Sequence, residues 1–134
     1  MIVAAMPLAG CTQQQAAQTP DAQAILEKIP AADSAQYDRI HDMKTWRNPY
    51  LIVRPDGVAV YDIADSAEII VKPEELLPEL AKFPASNWPY GRVVAAAEAK
   101  RDSEQDAAAI RRNKGIMGGL LEGAHIAVKW VPGT

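Results

Sequence analysis

The sequence predicts a small two-layer α+β domain, with strand order along the chain β-β-(β)-α-β-α-β and helices on one face of a mixed sheet. Three observations carry that expectation. "PYLIVRPDGVAVYDI" holds two β-rich runs around a turn tripeptide. "KPEELLPELAKF" and the stretch from Ser103 to Leu121 carry apolar residues at helical spacing. "AHIAVKWVP" alternates in the way a half-buried strand does. Strands interrupted by helices that cover a sheet make a two-layer α+β architecture, and the two helical connections suit right-handed crossovers.

The elements follow in order. Tyr50 to Arg54 and Val58 to Ile63 are expected as strands joined through Pro55-Asp56-Gly57. Gly57 supplies the positive φ of a tight hairpin, and Asp56 can bond its own backbone. Ala67 to Val71 is a third short β-rich run. Pro73 suits the first turn of a helix, where Glu74 and Glu75 meet the positive end of the dipole. Leu76, Leu77, Leu80 and Phe83 give that helix its apolar face, with Pro78 early enough to be tolerated and Pro84 closing it. Arg92 to Glu98 reads as a strand although its alanines favour a helix. Ser103-Glu104-Gln105-Asp106 reads as a capped helix start, and Ala107, Ile110, Met117 and Leu121 continue one face. Gly115, Gly118 and Gly119 weaken that helix, and they either let it approach the sheet closely or divide it. In the last strand His125, Ala127, Lys129 and Val131 lie on one side, with Ile126, Val128 and Trp130 on the other.

Composition bounds the function. The 134 residues are 49% hydrophobic and 23% charged, enough for one domain with a modest core. A net charge of −3 argues against a nucleic-acid partner, which needs a basic face. No stretch reaches the roughly 20 apolar residues of a membrane span. The single cysteine, Cys11, forms no internal disulfide and builds no metal site alone.

The beginning of the chain is distinctive. Residues Met1 to Gly10 are uncharged and end in Leu8-Ala9-Gly10-Cys11, followed by the polar run Thr12-Gln13-Gln14-Gln15-Ala16-Ala17-Gln18-Thr19-Pro20. The first group resembles the bacterial lipobox, and the second resembles the tether that follows it in lipoproteins. The resemblance implies that residues 1–10 are a truncated signal peptide, its basic n-region and true start lying upstream. It implies acylation of Cys11 with palmitate-type chains, a periplasm-facing envelope location, and membrane attachment by lipid. Thr12, where aspartate would retain a lipoprotein in the inner membrane, favours the outer membrane. On this reading residues 11–45 are a tether with short helical segments and residues 46–134 are the domain. Ala22, Ile25, Leu26 and Ile29 form one short apolar stripe, while Tyr37, Ile40 and Met43 form another.

The folded part, from Tyr50 to Val131, resembles the periplasmic domain of the ExbD/TolR group. The likeness rests on the hairpin around Asp56-Gly57, the strand and leucine-rich helix "EIIVKPEELLPELAKF", and Pro89-Tyr90-Gly91-Arg92-Val93-Val94. The last motif stands one element earlier than in that group. The group's transmembrane carboxylate has no counterpart here, so the resemblance implies only the envelope-facing half that binds protein or wall.

Catalytic patterns are sparse. His41 and His125 lie apart in sequence, with no HExxH or paired-cysteine spacing for zinc. No GxSxG surrounds a serine, and "NKGIMGGLLEG" lacks the order of a phosphate loop. Glu98, Asp102, Glu104 and Asp106 fit helix capping better than paired acid–base work. The basic group Lys100, Arg101, Arg111, Arg112 and Lys114 suits a solvated helix face or contact with anionic lipid or wall polymer. "KTWRNPY" and "SNWPYGR" combine the residue types of interface hot spots, so Trp46, Arg47, Tyr50, Trp88, Tyr90 and Arg92 are candidates for a partner surface. Core filling competes with that role, since only 6% of residues are aromatic. The expectation is therefore a non-catalytic lipoprotein, without metal or cofactor, that binds an envelope protein or a cell-wall component. The alternative is a small hydrolase using His41 or His125 with nearby carboxylates.

Overall fold

A computed structural model describes residues 21–63 and 66–132. Cys11, the signal-like residues 1–10 and the polar run 12–20 lie outside the described residues. The fold is α+β, built on one five-stranded mixed sheet of order β3-β2-β1-β4-β5. The strands are β1 (Tyr50–Arg54), β2 (Gly57–Asp62), β3 (Ala67–Val71), β4 (Val93–Glu98) and β5 (Ala127–Trp130). β1 and β2 form the expected hairpin, with Arg54 opposite Gly57 and Pro55-Asp56 alone at the turn. Gly57 has φ +148°, and a Cβ there would stand 2.4 Å from the Val71 carbonyl oxygen. β3 pairs antiparallel with β2, while β1, β4 and β5 run parallel.

Among the described residues four α-helices accompany the sheet: α1 (residues 21–27), α2 (Ser34–Tyr37), α3 (Leu76–Ala81) and α4 (Glu104–Gly123). A 3₁₀ turn, Pro73–Glu75, leads into α3. Pro78 falls in the first turn of α3, where its missing N–H has no helical carbonyl to bond. Ser103 caps α4, its Oγ accepting from the Asp106 N–H at 3.0 Å.

The main core lies on one sheet face. There Leu51, Val53, Val58, Val60, Val94 and Ala96 meet Leu76, Leu77 and Leu80 of α3 and Ile110, Met117 and Leu121 of α4. Strand β4 is buried along almost its whole length, which overrides the helical preference of its alanines. The glycines of α4 neither divide it nor bring it onto the sheet. The helix runs unbroken for 20 residues, and a Cβ added at Gly115, Gly118 or Gly119 meets nothing within 4 Å.

The boundary expected at residue 46 is corrected to residue 21, because residues expected as tether are built into the fold. Ala22, Leu26 and Ile29 join the main core. The stretch from Ala32 to Trp46, including α2, crosses the other sheet face, where Trp46, Tyr37, Ile40 and Met43 pack with Val93 and Ala95. Local chain turns shape this arm. Asp33 caps α2 by accepting from the Ala35 N–H, and Asp42 accepts from the Lys44 N–H. Burial on both faces is what allows an apolar stripe this short to be ordered.

Candidate functional site

The two tryptophan motifs meet in space, but as scaffold. Trp46 is fully buried, and its Nε1 donates to the Pro49 carbonyl at 3.1 Å. Its ring lies 5.1 Å from that of Tyr90 and 6.1 Å, edge-on, from that of Tyr37. The Tyr90 hydroxyl donates to the Thr45 carbonyl at 3.2 Å, and so ties one motif to the other. Trp88 belongs to the main core, with its indole N–H buried and without a hydrogen-bond partner. Arg92 Nε is buried in the same condition. Trp46 and Trp88 therefore do not present the partner surface expected of them, because their rings are buried, while Arg92 is half-buried. Tyr50 is half-buried against Tyr61, at 5.7 Å between rings, and burial pushes its phenol above the ordinary range. Arg47 is exposed, but its guanidinium donates to the carbonyls of Lys44 and Trp46.

Asn48 holds this region together. It is buried, and its Nδ2 donates to the Gly91 and Val93 carbonyls at 2.8 Å each. Its Oδ1 accepts from the Tyr90 N–H at 3.0 Å. Gly91 adopts φ +85°, and a Cβ there would lie 2.4 Å from the Ala31 carbonyl oxygen, so the arm passes close only because this residue is glycine.

The histidines are not assembled into a site. His41 is exposed in the arm, and His125 is exposed in the turn after α4 with φ +58°. Neither side chain hydrogen-bonds to a carboxylate among the described residues. No group of three or more His, Cys, Asp or Glu among those residues could hold a metal.

The third tryptophan lies elsewhere. Parallel strands β4 and β5 end side by side, with Ala96 opposite Trp130. Beyond their carboxyl ends opens a cleft of about 530 Å³ lined by Glu98, Lys100, Arg101, Lys114, Trp130 and Val131. The carboxyl ends of parallel strands are the usual place for a ligand in such sheets. Trp130 ends the edge strand β5 and is 45% exposed. The Lys114 ammonium stands 4.5 Å from the centre of its ring, a cation–π distance. The same ammonium donates to Glu98 Oε2 at 2.7 Å, and Arg101 donates to Glu98 Oε1 at 2.6 Å. Bonds from Lys114 first, and then Arg101, hold the Glu98 carboxyl below its ordinary range. Arg111 lines a smaller cleft adjoining the same three charged residues. The site thus offers an indole face, one internally neutralised carboxylate and a surplus of cations. Sequence reasoning noted the basic group but not its meeting with Trp130, which depends on the β4–β5 register.

No family model matches the chain, and neither the curated proteins nor the solved structures contain a significant match.

Proposed function

We propose that the chain is a bacterial envelope lipoprotein, anchored through acylated Cys11, whose domain binds an anionic cell-wall component without catalysis. The observation that carries the binding role is the cleft around Trp130. An exposed indole beside Lys114, Lys100 and Arg101 suits a ligand that combines a sugar ring or apolar group with carboxylates. Glu98 pre-orders two of the cations, so that little side-chain freedom is lost when an anion arrives. The lipobox resemblance supports the anchor, and the ExbD/TolR resemblance supports an envelope-facing binding domain. No helix among the described residues is long and apolar enough to cross a membrane.

Two measurements test the two halves. For the anchor, the chain is expressed behind a complete lipoprotein signal peptide and its intact mass is taken from membranes. A mass beginning at Cys11 with three acyl chains, lost in Cys11→Ala, is expected; an unmodified chain refutes the anchor. For the ligand, co-sedimentation with purified peptidoglycan sacculi is measured at low and high salt. Salt-sensitive binding that falls at least tenfold in Trp130→Ala and in Lys114→Glu is expected. Binding indifferent to both substitutions refutes the site, and selective capture of an acidic protein in place of sacculi moves the ligand to a protein segment.

A further inference from the structure

The two edges of the sheet differ. β5 is a short edge strand carrying Lys129, as protected edges commonly are. β3 has five residues, four of them exposed, with neither lysine nor proline within it. Among the described residues no backbone hydrogen bond reaches it from any strand but β2. Ile69 and Ile70 are 47% and 41% exposed, which is unusual for adjacent isoleucines on a bare edge. Lys72 keeps the chain extended for one residue past the strand, at φ −66° and ψ 146°, before Pro73 ends it.

We propose that β3 pairs antiparallel with β3 of a second copy of this chain, making a continuous ten-stranded sheet about a two-fold axis at Ile70. Charge complementarity selects the occupant and the register. A two-fold perpendicular to the sheet sets opposite one another residues whose numbers share parity, since alternate residues share a face. Centred on Ile70, the pairing sets Ile70 against itself, Ile69 against Val71, and Glu68 against Lys72, twice by symmetry. Moving the centre to Ile69 would put Glu68 opposite Ile70. Moving it to Val71 would put Ile70 opposite Lys72 and Glu68 opposite Glu74, a like-charge pair. Only the Ile70 register pairs every apolar residue with an apolar one and every charge with its opposite. Glu68 stands opposite Tyr61 on the neighbouring strand, and a carboxylate has acceptor sites enough for Lys72 as well. No ion pair among the described residues engages Lys72.

The test is sedimentation velocity of the full chain in mild detergent over a wide concentration range. The unmodified protein is expected to dimerise. Glu68→Lys and Lys72→Glu each turn two attractive cross-strand pairs into repulsive ones and should weaken the dimer roughly tenfold or more, and the double exchange should restore it. Both side chains are at the surface, so circular dichroism can verify that the variants fold. A second readout fixes the register in a Cys11→Ala background. Ile70→Cys should oxidise to a covalent dimer, because residues facing each other across an antiparallel pair lie within disulfide reach; Glu68→Cys should not. A monomer at all concentrations, or a dimer unaffected by both single reversals, overturns the proposal, as does cross-linking of Glu68→Cys in preference to Ile70→Cys.

Discussion

Replacing Asn48 by alanine tests whether one buried amide joins the arm to the sheet. The substitution removes three hydrogen bonds, to the Gly91 and Val93 carbonyls and from the Tyr90 N–H. Asn48 is 1% exposed, so water cannot take its place without rearrangement. A buried polar group left unpaired costs about 1–3 kcal/mol, and partial relaxation at the half-buried Tyr90 brings the total to roughly 3–4 kcal/mol. Against a stability of about 5–15 kcal/mol for a domain of this kind, that is a large fraction. The midpoint of thermal unfolding should fall by roughly 15 °C, followed by circular dichroism, with urea titration giving the free energy. Asn48→Asp retains the acceptor for Tyr90 but turns a carboxylate oxygen toward two carbonyls. At neutral pH it should lose at least as much as the alanine variant. A loss below about 1 kcal/mol in Asn48→Ala would show that the arm is held by its aromatic packing and not by the Asn48 amide.

Other consequences follow from the same contacts. Gly115→Ala, Gly118→Ala and Gly119→Ala add methyl groups into open space, so each should stabilise the domain by about 0.5–1 kcal/mol, read from urea midpoints. Destabilisation by any of them would reveal a contact that the helix geometry does not show. Trp46→Phe should cost more than Trp88→Phe, since both rings are buried but only the Trp46 indole N–H has an acceptor to lose; equal losses in urea melts would contradict this. Glu98 has a depressed folded-state pKa, so its stabilisation is fully present above the ordinary carboxylate range and disappears as pH falls through the folded value. Glu98→Gln should therefore lower stability at pH 7 and narrow the gap from wild type as the medium is acidified. A gap constant from pH 7 to pH 3 would mean that the two ion pairs contribute nothing.

Much of the sheet was legible because its signals are local. The Pro55-Asp56-Gly57 turn, the alternation before and after it, and the Ser103 cap each need only a few neighbouring residues. The arm was not legible. Ala22, Leu26 and Ile29 show a helical stripe, but its length and its flanking prolines are equally those of a linker, and only the distant α3 and α4 surfaces decide the matter. The tryptophans show the same limit. Trp46 and Trp88 sit in motifs of interface composition yet are buried, while Trp130, in a plain alternating strand, is exposed. Exposure there depends on β5 being the edge of the sheet, a position that no local pattern encodes.

The proposed anchor sets the two surfaces apart. A link from Cys11 to Asp21 can span at most about 36 Å. It joins the fold beside β3, because Asp21, Ala22 and Ile25 line the same cleft as Val71. Trp130 belongs to β5 at the far edge of the sheet, four strand spacings or about 19 Å away. Lipid attachment would thus concentrate the β3 edges of neighbouring copies near one plane and leave the Trp130 clefts at the opposite edge. Dimerisation would then act on wall binding through avidity, since two clefts share one assembly. Ile70→Lys should leave the affinity of a small soluble wall fragment unchanged while reducing retention on intact sacculi about tenfold or more. Trp130→Ala should reduce both and leave the dimer intact. If Ile70→Lys weakened the soluble fragment as much as the sacculus, the edge strand and the cleft would have to be parts of one binding surface.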